Sequence, residues 1–201
     1  MIPTLASSTG SELSEVARRP LEAEKCALVV VDIQEKLLPP IYEKERLVRN
    51  AQLLVRLAKI LDLPVLVTTQ YAKGLGGIVP EIASLLPQAH IVDKVEFSCF
   101  GSQQFCSAVK ELPGKRNTVL LCGMEAHICV MQTALGALNS GYLVHVASDA
   151  VGSRAEWNWK LGLERMRDAG AVISSTEMMM YELLRCSGTA AFKELLPFLK
   201  S

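Results

Sequence analysis

Net charge is what this 201-residue sequence most plainly lacks, because 21 Lys and Arg offset 21 Asp and Glu. With no global field and only 5% aromatic residues, it offers neither a basic stripe nor many rings for stacking bases, so a nucleic-acid partner is disfavoured. No apolar run approaches the roughly 20 residues that a membrane-spanning helix needs, so no membrane partner is expected. The first 25 residues have no apolar signal core, and Arg18 and Arg19 sit among Glu12, Glu15, Glu22 and Glu24, which weakens a mitochondrial transit reading. Histidine is scarce, with only His90, His127 and His145, and neither CxxC nor HxxxH spacing occurs, so no metal site is indicated. The six cysteines (Cys26, Cys99, Cys106, Cys122, Cys129 and Cys186) are scattered and partly embedded in apolar runs, as suits a reducing compartment rather than a disulfide framework. A cytoplasmic location is expected, with a mitochondrial one left open.

What is present is apolar. Half the residues are hydrophobic, enough for a large core at this length without disulfides or metals. Residues 1–24 read as a loosely ordered lead-in and 25–201 as one domain. The β-branched run "CALVVV" ends at Asp32 and suits a buried parallel strand. Leu47, Leu54, Leu57, Ala58 and Leu61 then recur at helical spacing over residues 44–61. The strand "VLVTT" follows, then a loop with Gly74, Gly76 and Gly77, and a short helix opened by Pro80. Beyond these come "HIVD", a helix over 102–112, the strand "TVLLCG", and a helix ending near Ser140 with Gly141 as its left-handed cap. After "YLVHVASDA", Ser153 and Glu156 have capping-box spacing for a helix that ends near Gly170. "AVISS" and helices over 177–185 and 189–200 complete the chain. Strands alternate with helices, which predicts an α/β fold: a three-layer α/β/α sandwich with a mainly parallel, Rossmann-like six-stranded sheet.

Sites in such sheets form beyond the carboxyl ends of the strands. The polar residues there are Asp32, Gln34, Thr68, Thr69, Gln70, Asp93, Lys94, Glu125, His127, Cys129 and Asp149, and taken singly most would be structural caps. Cys129 has the best individual case. It lies just past "TVLLCG" at a helix start, where N–H groups and the helix dipole favour a thiolate and a later oxyanion. Cys122, inside the strand, should be inert. His127 is two residues from Cys129, so on a helix the two side chains point to different faces, and His127 reads as a pocket or surface residue. The "GLGG" loop lacks the GxGxxG or Walker spacing of a phosphate cradle.

Three separated pieces then fit together. "VVVDIQ" with Asp32, "DKVEFSCF" with Lys94 and "LLCGMEAHICVMQTALGAL" with Cys129 resemble the isochorismatase-like (cysteine hydrolase) superfamily. "TTQYAKGLGGIVPEI" narrows the resemblance to its isochorismatase-domain-containing branch, and similarity runs from Cys26 to the C-terminus. The resemblance implies an Asp32–Lys94–Cys129 triad. In it Asp32 takes the thiol proton, Lys94 lowers the thiolate's energy, and Cys129 attacks an electrophilic carbon to give a covalent intermediate that water discharges. Alkylation of Cys129 ahead of the other five cysteines is the expected signature. The resemblance also implies an oxyanion hole from the backbone N–H groups of Glu125 and Cys129, after a cis peptide between Met124 and Glu125.

The departures from the family pattern bear on the substrate. Nicotinamidases carry an Asp-x-His motif and a further metal-binding His after the second strand, where this chain has "TTQYAKGLGG" and no histidine. Metal-dependent nicotinamide hydrolysis is therefore disfavoured, and no cofactor is expected. Amidase members often have Thr-Asp where this chain has Ala126 and His127. Isochorismatase proper must hold a dicarboxylate, and beyond Lys94 only Lys73 and Arg154 offer remote basic groups. Gln34, Gln70, Tyr71, Phe97, Phe100 and His127 follow strand ends and are expected to line the pocket. The leading expectation is a metal-independent cysteine hydrolase of a small amide, ester or related substrate. The alternatives are a catalytically weak binding or interaction protein on the same fold, and a ribonuclease-type activity. A homo-oligomer, dimer or larger, is implied by the resemblance. The tail "FKELLPFLK" either joins that contact or covers the sheet.

Overall fold

The computed structural model describes residues 18–199. Residues 1–17 of the expected lead-in, and residues 200 and 201, lie outside the described part. Ahead of the first strand Leu21 is already buried. Its N–H donates to Glu182 (3.1 Å) and its carbonyl accepts from the Arg185 guanidinium.

Six parallel strands form one sheet in the order β3-β2-β1-β4-β5-β6. They are β1 Cys26–Val31, β2 Val65–Gln70, β3 Ile91–Lys94, β4 Thr118–Met124, β5 Leu143–Gly152 and β6 Val172–Ser174. Successive residues of a strand face opposite sides of the sheet, and β1 supplies a core on each side. Cys26, Leu28 and Val30 enter one core, while Val29 and Val31 enter the other. The sheet is covered on both faces, so its central strands read as uninterrupted apolar runs.

The helices are α1 Lys44–Ile60, the single turns α2 Ala72–Leu75 and α3 Pro80–Ala83, α4 Gln103–Lys110, α5 Met131–Asn139, α6 Glu156–Asp168, α7 Thr176–Leu184 and α8 Ala190–Leu199. The first core takes apolar residues from α1, α7 and α8, including Leu47, Leu54, Met179 and Leu195. The second takes Phe105, Val109, Ala134, Ala137, Leu163 and Met166 from α4, α5 and α6. Tail helix α8 packs on its own chain, with Leu195 buried and Arg56 over the Phe198 ring at 4.1 Å. Among the described residues no helix is long and apolar enough to cross a membrane.

Two local expectations need correction. The glycine-rich segment is not all loop, because Ala72–Leu75 forms a helical turn. Ser153 does not cap α6. The cap residue is Ala155, with no side-chain cap bond, because the Ser153 hydroxyl is engaged by the His127 ring instead (2.9 Å). Gly141 does occupy the left-handed region after α5 (φ +83°). Strand β5 also carries an irregularity. Between the pairs Leu121–Val146 and Gly123–Val151, β4 advances two residues and β5 five. The extra residues release Asp149, whose carboxylate caps α7 by accepting from the Thr176 N–H (2.8 Å) and hydroxyl (2.9 Å).

Candidate active site

The chain order of the strands reverses between β1 and β4, and the crevice beyond their carboxyl ends is where a doubly wound sheet binds ligands. Asp32 directly follows β1 and Glu125 directly follows β4. Asp32 has a left-handed backbone (φ +51°), a conformation costing a non-glycine residue of order 1–3 kcal/mol. It is held there by its N–H to the Thr68 carbonyl (3.2 Å) and by its own carbonyl, which accepts from the Gln34 N–H (2.8 Å).

Lys94 closes β3, two strands away, and only a long side chain spans that gap. Its Nζ lies 2.7 Å from Asp32 Oδ2, and both side chains are fully buried. The same ammonium donates to Gln70 Oε1 (2.9 Å), and the Thr68 hydroxyl donates to Asp32 Oδ1 (2.7 Å). Cys99 Sγ lies 3.8 Å from the Thr68 hydroxyl. A carboxylate and an ammonium buried together compensate each other's lost hydration, and removing one partner of such a pair typically costs about 3–5 kcal/mol.

Cys129 lies in a wide π-type turn, Ala126–Val130, rather than at the start of an ordinary helix; α5 continues from it. The peptide between Met124 and Glu125 is cis, as the resemblance implies. Two glycines are required here. A Cβ on Gly123 (φ +123°) would come within 2.0 Å of the Val31 carbonyl oxygen. A Cβ on Gly162 of α6 would meet the Ala126 carbonyl oxygen at 2.9 Å and His127 Cα at 3.0 Å, so α6 rests directly on the turn's backbone.

The Cys129 thiol is 6% exposed and is pushed up to about 12. Burial is the main cause. The Asp32 charge and its hydrogen bond to the thiol act in the same direction, and the Lys94 ammonium opposes them. Burial and the Asp32 carboxylate thus favour the protonated thiol at Cys129, whereas a helix start alone favours a thiolate. Cys122 is inert as expected, pushed up to about 12 by burial alone.

The other pocket candidates separate. Gln34 is buried and its amide is fully occupied: Oε1 accepts from the Gln70 N–H (2.7 Å), and Nε2 donates to the carbonyls of Gln70 (3.1 Å) and Gly76 (2.8 Å). It is a strut tying the β1 exit to the β2 exit. Gln70 touches the ion pair directly and anchors its Nε2 on the Val95 carbonyl (2.7 Å). Tyr71 (φ +42°) and Phe97 are exposed beyond β2 and β3. Phe100 is placed elsewhere. Its ring packs against Phe105 and Tyr142, with centroids 5.4 and 5.6 Å away, as part of the second core. His127 points to Ser153. Asp93 is occupied by the Thr69 hydroxyl and the Ala72 N–H. Sequence reasoning missed Thr68 as an Asp32 partner, Cys99 beside it, and the Glu125–Arg154 pair. Position at strand ends was the available signal, and it did not tell these residues from their neighbours.

Fold and site together define a class: a Rossmann-like α/β protein with a buried carboxylate–ammonium pair and a cysteine at the switch point. The chain belongs to the isochorismatase family, and its residues 26–178 match the Isochorismatase domain. It is 38% identical over 176 residues to the secreted isochorismatase effector Isc1 of Phytophthora sojae, covering 86% of this chain and 83% of that relative. The structure of MAR1 ribonuclease from Caenorhabditis elegans superposes with a TM-score of 0.83 at 33% identity, covering 91% of this chain and 93% of that one. The Escherichia coli YcaC gene product, described as an octameric hydrolase of unknown specificity, superposes with a TM-score of 0.82 at 28% identity, covering 89% and 90%.

Proposed function

We propose that this protein is a cysteine hydrolase acting without a metal on a small amide, ester or related substrate. The observation that carries the reading is the fully buried Asp32–Lys94 ion pair whose carboxylate faces the Cys129 thiol. With the thiol protonated at neutral pH, attack and proton transfer are concerted. The Cys129 sulfur bonds to the carbonyl carbon as its proton passes to Asp32. The charge that develops on the carbonyl oxygen is met by the backbone N–H groups of Glu125 and Cys129. Collapse expels the amine or alcohol, which takes the proton from Asp32 and leaves a thioester on Cys129. Water then attacks the thioester with Asp32 as base, releasing the acid and restoring the thiol. Lys94, 2.7 Å from Asp32 Oδ2, holds the Asp32 side chain in place throughout.

The experiment is hydrolysis of a panel of amides and esters by the wild type and Cys129→Ala, with mass spectrometry of the quenched wild type. The expected result is Cys129-dependent turnover and an acyl adduct on the Cys129 peptide. Turnover that survives Cys129→Ala refutes the nucleophile, and absence of any turnover favours a binding protein on this fold. The ribonuclease name of the Caenorhabditis elegans relative supports a second reading, RNA cleavage. Degradation of a labelled RNA that persists in Cys129→Ala would establish it over the first. The octameric Escherichia coli relative supports a homo-oligomer, testable by sedimentation. Six free cysteines fit a cytoplasmic setting, testable by fractionation.

A further inference from the structure

Along the carboxyl edge of the sheet, from β3 to β5, stand Lys94, Gln70, Asp32, Glu125 and Arg154, in strand order. They form two ion pairs of different character. Lys94 and Asp32 are fully buried and neutralise each other. In the second pair Glu125 Oε2 accepts from both the Arg154 main-chain N–H (3.0 Å) and its Nε (3.1 Å). The Glu125 side chain is 10% exposed and that of Arg154 61%. Both bonds end on one carboxylate oxygen and use only the inner side of the arginine. The outer edge of the guanidinium, with its two Nη groups, takes part in neither bond, on a side chain that is mostly exposed.

We infer that Arg154 reads a carboxylate on the substrate, which makes the substrate a short amide or ester with an anionic far end; this rests on the hydrolase reading above. Three observations support it. Glu125 begins the turn that carries Cys129, and its main-chain carbonyl accepts from Ile128 (3.0 Å) and Val130 (3.2 Å), so its side chain ties Arg154 to the nucleophile's own turn. Neighbouring strands lie about 4.8 Å apart, so Arg154, two strands from β1, stands roughly 10 Å from Asp32, which is a small-molecule distance. Finally, holding Nε fixes the plane of the guanidinium before any ligand arrives, and a planar fork held this way suits a carboxylate. Lys94 is unsuited to that task, because its charge is already committed to Asp32 and Gln70.

The test compares wild type, Arg154→Gln and Arg154→Lys on two esters of equal chain length, mono-p-nitrophenyl adipate and neutral p-nitrophenyl hexanoate. In the wild type kcat/KM should favour the anionic ester by about tenfold or more, in line with a charge-assisted contact. Arg154→Gln should bring the ratio close to one, and Arg154→Lys should fall between, since it keeps the charge and loses the fork. A wild-type ratio of one or less, or a preference that Arg154→Gln retains, overturns the inference while leaving the hydrolase reading intact. If the wild type cleaves neither ester, the hydrolase reading fails for these substrates, and calorimetric binding of adipamate to Cys129→Ser decides the anion site. Binding that the added Arg154→Gln change weakens at least tenfold upholds it; binding unaffected by that change, or none at all, overturns it.

Discussion

Replacing Asp32 with Asn should move two properties of the site in opposite directions. The amide is nearly isosteric and still accepts from the Thr68 hydroxyl, which is 2.7 Å from Oδ1, so the local frame is retained. What disappears is the charge opposite Lys94, in a setting where both side chains are fully buried. Breaking such a pair costs about 3–5 kcal/mol. For a chain of this size each kcal/mol lowers Tm by about 2–4 °C, so a fall of about 6–20 °C is expected in a thermal melt. At Cys129, two of the influences that raise the thiol are lost, the Asp32 charge and its hydrogen bond, while the lowering influence of Lys94 remains. Iodoacetamide should therefore alkylate Cys129 faster in Asp32→Asn than in the wild type at the same pH, read from the labelled peptide by mass spectrometry. Hydrolysis should fall by about 10²–10⁴-fold, the usual contribution of a positioned general base. A more reactive thiol in a less active enzyme is the diagnostic pair. Slower alkylation together with lost hydrolysis would mean that Asp32 activates the thiol in the resting state, and retained hydrolysis would remove Asp32 as the base.

Stability should collapse on the alkaline side. Cys26, Cys122 and Cys129 are pushed up to about 12 and Cys99 to about 11, chiefly by burial. Between pH 9 and 11 the native state holds protons that the unfolded chain has released, so unfolding free energy falls as pH rises, approaching about 5 kcal/mol per pH unit near pH 10 if all four contribute. Denaturant titrations at pH 8, 9 and 10 check this, and a flat profile refutes it. Over the same range the exposed Cys186 should be alkylated before any buried thiol. Gly162→Ala would drive a Cβ into the Ala126 and His127 backbone, so a loss of about 1–3 kcal/mol is expected, with a drop in kcat beyond that caused by lowering folded protein. Circular dichroism and kinetics on the folded fraction separate the two effects. Thr68→Val removes a hydrogen bond to the buried Asp32 carboxylate, worth about 1.5–3 kcal/mol, so kcat should fall about tenfold. An unchanged kcat would mean that the hydroxyl does not position Asp32.

The sequence by itself determined the architecture. Six apolar, β-branched runs alternate with helical periodicity, and a chain so patterned has to bury a sheet on both faces. "CALVVV" and "TVLLCG" stand out because every residue of these strands is buried and their large apolar side chains alternate between the two cores. Asp32, Lys94 and Cys129 were legible as polar interruptions at the ends of such runs, and the resemblance joined them into one set. Tertiary structure decided everything that depends on partners distant in sequence. It gave Ser153 to His127 rather than to its own helix, because a hydroxyl that follows β5 lies beside the turn that follows β4. It turned Gln34 into a strut and carried Phe100 into an aromatic cluster. It also decided the surroundings of the Cys129 thiol. A helix start predicts a stabilised thiolate, but burial and the facing Asp32 carboxylate outweigh the Lys94 charge, and neither is readable from the residues around Cys129. Local sequence sets which groups stand at the crevice; the dielectric and the charges they meet there are set by strands that the chain reaches dozens of residues away.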